Sequence, residues 1–303
     1  MNILIVCNPN SGRGDGLFFA KRLKKRFEKI AECAVEIFLS ESVEKMREFF
    51  ANIKIERPNY FNSIIILGGD GTFSLAVDAL LKIELHVPVA IFPLGTVNDF
   101  AKQTHMSRCV RKCVKTIVAG KTKKCDVAFV NGEYVVNVAC GGYFTHGANT
   151  YSRVAKKIFG KLAYFGKAAF NVFNMHAQKM RFTVDNETFE TDTIMYLVMN
   201  SASAGGFRHI GANARIDDGL FDLCVIKKAR LGRLARTAIK ILGGRHIPDK
   251  CIEYRQGKHF KIELVGDKPN PNFLKSDFDG NVGDSLPLEI EVDNKKLEIY
   301  FGD

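Results

Sequence analysis

The feature that most constrains the fold is an abrupt change of pattern at residues 63–81, which read SIIILGGDGTFSLAVDALL. Ile64 to Leu67 are consecutive apolar residues, as in a strand buried on both faces, whereas the apolar residues after Thr72 recur at helical spacing. The glycines therefore lie where a buried strand gives way to the N-terminus of a helix. Backbone N–H groups at a helix start bind anions, and glycine lets a phosphate approach the chain closely.

Asp70 stands between these glycines, where its carboxylate would repel a bound phosphate. A divalent cation removes this conflict, because Mg²⁺ binds carboxylate and phosphate oxygens together. The stretch therefore predicts a site for a phosphate-bearing ligand with Mg²⁺.

The same alternation of strand and helix patterns runs through the first 125 residues. Apolar runs such as ILIVC, AVEIFLS and VPVAIFPL alternate with segments whose apolar residues fall on one helical face. This order is typical of a mainly parallel sheet covered by helices on both faces, which makes a three-layer α/β domain.

The pattern changes near Asp126. Short runs such as RFTVDNETFE, LPLEIEV and KLEIYF alternate apolar and polar residues and are separated by turn residues. They predict an antiparallel β-sandwich, interrupted by a basic amphipathic helix from Tyr151 to His176. A chain of 303 residues is long enough for two domains, and we expect an α/β domain at residues 1–126 and a sandwich at residues 127–303.

Two further glycine-bearing loops follow strands of the predicted parallel sheet. NPNSGRGDG (Asn8 to Gly16) follows the first strand, and PLGTVNDFA (Pro93 to Ala101) follows the fourth. The first of these loops does not have the Walker A spacing. Because the carboxyl ends of parallel strands form one crevice, the three loops together favour a ligand site over three ordinary turns.

Charge and composition narrow the classes of partner. The chain has 44 Lys and Arg against 33 Asp and Glu, and the net charge of +11 suits an anionic partner, either nucleic acid or an anionic membrane leaflet. There is no run of 18 apolar residues, and the start MNILIVCN does not read as a signal peptide, so we expect a cytoplasmic protein. The eight cysteines and seven histidines are scattered and predict no competing metal or catalytic centre.

Taken together and in this order, the motifs resemble those of the bacterial diacylglycerol kinase-like lipid kinases, relatives of the sphingosine and ceramide kinases. The resemblance spans essentially the whole chain and is carried by NPNSGRG, GGDGT, PLGTVNDFA, CDVAFVNG, ARIDDGLFDL and DFDG. It implies an ATP-binding α/β domain and a β-sandwich domain. It also implies phosphoryl transfer from ATP to a lipid hydroxyl, such as that of diacylglycerol, in the cleft between the two.

The resemblance assigns a nucleotide site to the glycine-bearing loops of the first domain. Asp70 would act there through the phosphates and the Mg²⁺ attached to them. The implied nucleotide-binding residues are Asn8, Asn10, Ser11, Gly12, Ser40, Gly68, Gly69, Asp70, Gly71, Thr72, Gly95 and Thr96.

The resemblance also implies two metal sites. Asp99 and Asp126 would anchor a water network around the catalytic Mg²⁺. Asp218, with the backbone carbonyl groups of Arg215 and Leu220, resembles the second, structural metal site of the family.

A base that takes the proton of the acceptor hydroxyl would add roughly 10² to 10⁴ in rate. The candidate is Asp279, which begins the Asp-Gly-Glu motif of the family. Here the motif reads Asp279-Gly280-Asn281, so an amide replaces its acidic third residue. The predicted catalytic residues are Asp70, Asp279 and Asn281.

Two alternatives stay open. An NAD kinase would share GGDGT, although NPNSGRG and DFDG argue against it, and Asn281 suggests a lipid- or nucleotide-binding protein with impaired catalysis. For the leading hypothesis the cofactors are ATP and Mg²⁺. The expected partners are a lipid substrate and an anionic membrane, contacted peripherally on its inner face. Nucleic acid is not expected as a partner, and a homodimer is left open.

Overall fold

The computed structural model describes residues 1–9, 14–30, 32–143, 176–266 and 269–302. The chain divides into two compact units, one formed by Met1–Cys125 with Lys295–Asp303 and the other by Asp126–Asn294. The helix predicted from Tyr151 to His176 lies outside the described residues, apart from His176 itself.

The first unit alternates strands and helices. In chain order they are β1 (Asn2–Cys7), α1 (Gly16–Phe27), β2 (Ala34–Leu39), α2 (Val43–Glu56), β3 (Ser63–Gly68), α3 (Asp70–Lys82), β4 (Val89–Pro93), α4 (Asp99–Gln103) and α5 (Val110–Val118). The strands pair in parallel in the order β2-β1-β3-β4, while α1 packs with α5 and α2 packs with α3. This arrangement confirms the predicted parallel sheet.

The apolar runs of the sequence form the centre of this sheet. Every residue of β3 is buried, and Ile3 to Cys7 of β1 are fully inaccessible to solvent. Strands covered on both faces need no polar alternate residues, which explains why these runs are continuous. The Ser42 side chain caps the start of α2, because its hydroxyl oxygen accepts the N–H of Lys45 at 3.2 Å.

The second unit is mainly antiparallel. Its elements, with the two strands that begin or end in the first unit, are β5 (Thr122–Val130), β6 (Glu133–Val135), β7 (Val138–Gly142), β8 (Gln178–Val184), β9 (Glu187–Met199), β10 (Phe221–Lys227), α6 (Leu231–Leu242), β11 (Ile252–Gly257), β12 (His259–Leu264), β13 (Asp277–Phe278), β14 (Asn281–Val282) and β15 (Leu288–Tyr300). Antiparallel pairing runs in the order β14-β13-β7-β9-β8-β12-β15, and β10 joins β9 to β11.

The long strand β9 explains how this unit builds two apolar layers. Its first half pairs with β8, and its second half pairs with β7 on one edge and with β10 on the other. Tyr196 and Val198 enter one apolar cluster, whereas Met195, Leu197 and Met199 enter another. Alternate residues of one strand point to opposite faces, so β9 packs against both layers. The sandwich predicted for the second half of the chain is confirmed.

The boundaries of the compact units differ from the predicted domain boundaries at the C-terminus. The sequence pattern placed all of residues 127–303 in the sandwich. The last residues of β15 belong instead to the first unit, because Ile299 pairs in parallel with Val89 of β4. The N–H group of Phe301 then donates to the carbonyl of Lys121 at 3.1 Å. The alternating pattern of KLEIYF fits an edge strand of either sheet and could not distinguish the two.

Candidate active site

The loops that follow β3 and β4 touch each other through glycines. A Cβ atom placed on Gly95 would lie 2.6 Å from the Cα atom of Gly69 and 2.7 Å from Oδ1 of Asn98. A Cβ atom on Gly69 would lie 3.1 Å from the Cα atom of Gly95. Only glycine permits two backbones to come this close. The structure therefore brings the predicted residues Gly68–Thr72 together with Gly95.

The start of α3 lies at this contact. Gly69 precedes the first helical residue, Asp70, and has no side chain with which to cap the helix. A Cβ atom on Gly68 would lie 2.6 Å from Cβ of Thr72, so this glycine makes room for the threonine. A helix N-terminus with a glycine cap and a nearby hydroxyl presents N–H and O–H donors suited to phosphate oxygens.

The carboxylate of Asp70 links the two loops. It accepts the N–H groups of Asp99 at 3.0 Å and of Phe100 at 3.1 Å, at the start of α4. Asp70 thus caps a helix that follows a different strand, a stabilising use of a carboxylate. From the sequence we expected only a role towards phosphate and Mg²⁺, and the structure adds this structural role.

Asn98 stands in the predicted ligand loop PLGTVNDFA, but the sequence interpretation gave it no role. Its backbone is left-handed with φ +53°, and its Nδ2 donates to the carbonyl of Gly95 at 2.7 Å. Its Oδ1 is buried and has no hydrogen-bond partner among the described residues. A buried acceptor without a donor is costly unless a ligand or water supplies one. This orphaned oxygen beside the glycine contact fits a bound nucleotide, and its signal in the sequence was the asparagine of PLGTVNDFA.

The other predicted nucleotide-binding residues follow β1, β2 and β4. Ser40, directly after β2, is buried and donates its hydroxyl hydrogen to the carbonyl of Ser42 at 3.1 Å. Asn8 directly follows β1 and is half-buried, whereas Thr96 is exposed. Asn10, Ser11 and Gly12 lie outside the described residues. Because β2, β1, β3 and β4 are neighbours, Asn8 and Ser40 stand at the same edge of the sheet as the glycine contact.

Asp99 is the predicted metal-binding residue of the first unit. Its side chain is buried and forms an ion pair with Lys102 at 3.2 Å. Its own backbone N–H is one of the two that donate to the Asp70 carboxylate. Two carboxylates on touching loops are a donor set that suits a hard cation such as Mg²⁺.

In the second unit, Asp126 is bound to the loop predicted to hold the structural metal. Its Oδ2 accepts the N–H of Gly219 at 2.7 Å, and its own N–H donates to the carbonyl of Ile216 at 2.7 Å. Nδ2 of Asn200 donates to the Asp126 carbonyl at 2.7 Å. The sequence interpretation gave Asp126 and Asp218 to different metals, and the structure joins Asp126 to the loop that carries Asp218.

Asp218 itself is exposed on a tight turn. Its Oδ1 accepts the N–H of Leu220 at 3.1 Å, and Gly219 between them has φ +77°. The predicted ligands are this carboxylate and the carbonyl oxygens of Arg215 and Leu220, an all-oxygen set that suits Mg²⁺. The described residues contain no cluster of three or more His, Cys, Asp or Glu side chains suited to a metal. A cation here would therefore depend on carbonyl oxygens and water.

A second carboxylate behind this loop was also missed. Asp222 on β10 is fully buried, and its oxygens make no hydrogen bond of normal geometry with the described residues. Burial raises the pKa of Asp222 to about 6. Burial and the neighbouring Asp222 raise the pKa of Tyr254 as well. The carboxyl group of Asp222 therefore keeps its proton up to a higher pH than the carboxyl group of an exposed aspartate.

Asp279 lies in a hairpin turn between β13 and β14. The φ angles of Asp279 and Gly280 are +53° and +87°, as a two-residue type I′ turn requires. The Asp279 side chain is 5% exposed, and its carboxylate accepts the N–H groups of Val136 at 2.8 Å, Asn137 at 3.0 Å and Val138 at 2.7 Å. The predicted base is thus also the residue that holds the hairpin against the start of β7.

Asn281 occupies the position after this turn. It is half-buried, and its backbone pairs with Phe278 across the hairpin. The sequence DFDGN therefore forms a hairpin and in addition carries a buried carboxylate that ordinary hairpin turns do not need.

Comparison with known proteins shows the family to which the chain belongs. The diacylglycerol kinase catalytic domain matches residues 2–130. The YegS C-terminal NAD kinase beta sandwich-like domain matches residues 137–301, which is more than half of the chain. The chain belongs to the diacylglycerol kinase-like family of lipid kinases.

Relatives of this diacylglycerol kinase-like chain match it over nearly its whole length. A diacylglycerol kinase of Bacillus subtilis (strain 168) is 29% identical over 287 residues, which cover 94% of this chain and 91% of that protein. A diacylglycerol kinase of Staphylococcus carnosus (strain TM300) is 26% identical over 296 residues, which cover 98% of this chain and 94% of that protein.

Solved structures share the fold. One structure from Bacillus anthracis str. Sterne superposes with a TM-score of 0.81 at 24% identity, covering 99% of this chain and 95% of that chain. The crystal structure of a diacylglycerol kinase from the same strain gives a TM-score of 0.72 at 21% identity, covering 99% and 96%. The α/β domain and the β-sandwich-like domain are therefore those of the diacylglycerol kinase-like fold. The family match and the relatives named diacylglycerol kinase identify the chain as an enzyme of the lipid kinase class.

Proposed function

We propose that this chain is an ATP- and Mg²⁺-dependent kinase that transfers the γ-phosphoryl group to the hydroxyl of a lipid such as diacylglycerol. The observation that carries the proposal is the glycine contact at the ends of β3 and β4, with the orphaned Oδ1 of Asn98 beside it. Such a contact at the carboxyl edge of a parallel sheet is suited to a nucleotide. The relatives named diacylglycerol kinase support the choice of acceptor.

The residues of the first unit fit the phosphates of ATP. The start of α3 offers N–H donors, and the hydroxyl of Thr72 stands in its first turn. Asp70 and Asp99 would hold Mg²⁺, which when bound spreads the negative charge of the phosphate oxygens. Because Asp70 is already fixed by the N–H groups of α4, its carboxylate is oriented before the ligand arrives.

We propose that Asp279 in the second unit takes the proton of the lipid hydroxyl as that oxygen bonds to the γ-phosphorus, while the bond from this phosphorus to the β,γ-bridging oxygen breaks and ADP leaves. The side chain of Asn281 can hold a hydroxyl or a water molecule by hydrogen bonds, but an amide does not accept a proton at neutral pH. Of these two predicted catalytic residues, only Asp279 can therefore act as the base. Three backbone N–H groups fix the orientation of its carboxylate.

The proposed partners are the lipid substrate and an anionic membrane that the protein contacts peripherally on its cytoplasmic face. The net charge of +11 supports an attraction to anionic lipid. Among the described helices, none combines the length and the apolar character needed to span a bilayer.

The test offers several acceptors to the purified protein in one reaction. ATP labelled at the γ-phosphate is incubated with Mg²⁺, NAD and mixed micelles of diacylglycerol, phosphatidylglycerol, undecaprenol or a sphingoid base. We expect label in the organic phase, in the phosphorylated lipid. Label in NADP would instead establish an NAD kinase. ATP binding with no labelled product would establish a binding protein with impaired catalysis.

A further inference from the structure

Helix α6 contacts the rest of the second unit through one narrow face. Thr237 and Ile241 are buried, and Leu234 is half-buried against an apolar cluster that includes residues of β9 and β10. The helix runs from Leu231 to Leu242, and all of its other residues are exposed. Most of the helix surface is therefore available to a partner.

The exposed surface carries an apolar stripe. Its residues recur at the spacing of one helical face, and they are Leu231, Ala235, Ala238, Ile239 and Leu242. Ile239 is 70% exposed and Leu242 is 60% exposed. Single exposed apolar residues are common, but a continuous stripe marks an interaction surface. We call this set of five residues the α6 stripe.

Basic residues lie along one side of the α6 stripe, with Arg236 next to Ile239 and Arg233 further round the helix. Residues 227–245 contain no Asp or Glu, and their basic residues are Lys227, Lys228, Arg230, Arg233, Arg236, Lys240 and Arg245. Lys240 is paired with Asp249 at 2.6 Å, whereas Arg233 and Arg236 have no acidic partner within the described part of the chain. Arg233 in the first turn also opposes the helix dipole. Lys227 is also paired, with Glu253 at 3.1 Å, so it is Arg233 and Arg236 that gain little from contacts within the protein.

We propose that α6 is an interfacial helix that lays the α6 stripe into an anionic lipid bilayer while Arg233 and Arg236 contact the lipid phosphates. This inference rests on the proposed function, because a lipid kinase must reach a substrate that resides in a membrane. An apolar stripe beside a basic face is the pattern of helices that lie in the membrane interface.

Two other occupants fit the surface less well. An acidic protein or nucleic acid would match the charges but would leave the α6 stripe in contact with a polar surface. A second copy of the chain, paired about a two-fold axis, would place each basic face beside an identical one, and like charges repel.

The first experiment uses tryptophan as a reporter, because the chain contains none. Ile239→Trp places the reporter on the α6 stripe. Ile55→Trp on α2 is the matched control, since Ile55 is 77% exposed. With vesicles of phosphatidylcholine and phosphatidylglycerol, we expect a blue shift and quenching by brominated lipid for Ile239→Trp only. Salt should reverse both signals. Equal responses of the two reporters would overturn the proposal, and so would no response.

The second experiment separates the α6 face from the overall net charge. Arg233→Gln with Arg236→Gln lowers the charge by two, as does the control pair Lys21→Gln with Lys25→Gln on α1. Each basic residue at an anionic surface contributes about fivefold in binding, so the α6 pair should weaken vesicle sedimentation about 20- to 30-fold. The control pair should leave it nearly unchanged. Equal weakening by the two pairs would show that α6 has no special role.

Sedimentation without ATP keeps this test independent of the proposed function. A protein that binds vesicles through α6 but phosphorylates no lipid would contradict the kinase proposal alone. A kinase that phosphorylates detergent-dispersed lipid but does not bind vesicles would contradict the α6 proposal alone. A blue shift of Ile239→Trp that depends on protein concentration without vesicles would show that a second copy covers the stripe.

Discussion

Asp70 and Asp279, the two carboxylates proposed for catalysis, both accept backbone N–H groups but in unlike surroundings. Asp70 is half-buried at the edge of a parallel sheet and accepts two N–H groups of α4. Asp279 is buried in a hairpin turn and accepts three N–H groups of residues 136–138. Asp70 therefore combines a capping role with access to a ligand. Asp279 has the larger structural role, and a mutation there tests folding and catalysis together.

The largest loss of stability is expected for Asp279→Asn. The amide leaves an NH₂ group facing a backbone N–H, and each buried N–H group without an acceptor costs roughly 1–3 kcal/mol. We expect urea unfolding to show a loss of about 3 kcal/mol in the free energy of unfolding. If Asp279 is also the base, turnover of the folded fraction should fall by about 10² or more at nearly unchanged ATP affinity.

Asp284→Asn is the control for this variant, because Asp284 is exposed and close to the same hairpin. It should retain stability and turnover. Normal turnover in folded Asp279→Asn would remove Asp279 as the base. Unchanged stability would show that its three hydrogen bonds contribute little.

The next largest loss of stability is expected for Gly95→Ala, which tests the contact between the loops of the first unit. In Gly95→Ala the new Cβ atom would lie 2.6 Å from the Cα atom of Gly69, and overpacking of this kind costs about 2 kcal/mol. Thermal unfolding should show a clear decrease in Tm and ATP affinity should fall. Gly69→Ala, with its closest contact at 3.1 Å, should lose less. Gly232→Ala has open space around it and should not be destabilised. Equal Tm values for the three variants would contradict the close approach.

A smaller loss of stability is expected for Asp70→Ala, which removes a two-bond cap from α4. Loss of a helix cap costs about 1 kcal/mol. The variant should remain folded at room temperature, yet its turnover should fall by orders of magnitude because Mg²⁺ and phosphate lose a ligand. Circular dichroism and the kinase assay measure the two effects. Wild-type turnover in the folded variant would refute the assignment of Asp70 to the site.

The smallest effect concerns a third carboxylate, Asp249, which is held by a charged side chain as well as a backbone group. The hydrogen bond from Lys240, assisted by the N–H of Cys251, lowers the pKa of Asp249 to about 2 from an unfolded value of 3.8. A lowered pKa means stabilisation that is present above pH 4 and is lost as the pH falls towards 2. Asp249→Asn should therefore cost about 1 kcal/mol at pH 7, since water screens the half-exposed Lys240.

Urea unfolding of wild type and Asp249→Asn at several pH values checks this sign. The difference between the two proteins should shrink as the pH is lowered from 5 to 3. A difference that stays constant with pH would show that the ion pair does not stabilise the fold.

The structure also shows which features of the fold and of the site could be predicted from the sequence. The parallel sheet and its loops were predictable because apolar runs, helical spacing and glycines are local signals. The hydrogen bonds of Asp279 were not, because they join it to residues 136–138, far away in the chain. The same holds for the bond between Asp126 and Gly219 and for the pairing of Ile299 with Val89. Local patterns identify elements, whereas partners brought together by the fold need the structure.

The most direct test of the proposed function is transfer of label from γ-labelled ATP to purified diacylglycerol in mixed micelles, with the lipid product identified by mass spectrometry. We expect labelled phosphatidic acid with Mg²⁺ present, no product after chelation of divalent cations, and recovery when Mg²⁺ is added back. Absence of labelled lipid from folded protein that binds ATP would contradict the kinase activity proposed here. Full activity in the chelator would contradict its dependence on Mg²⁺.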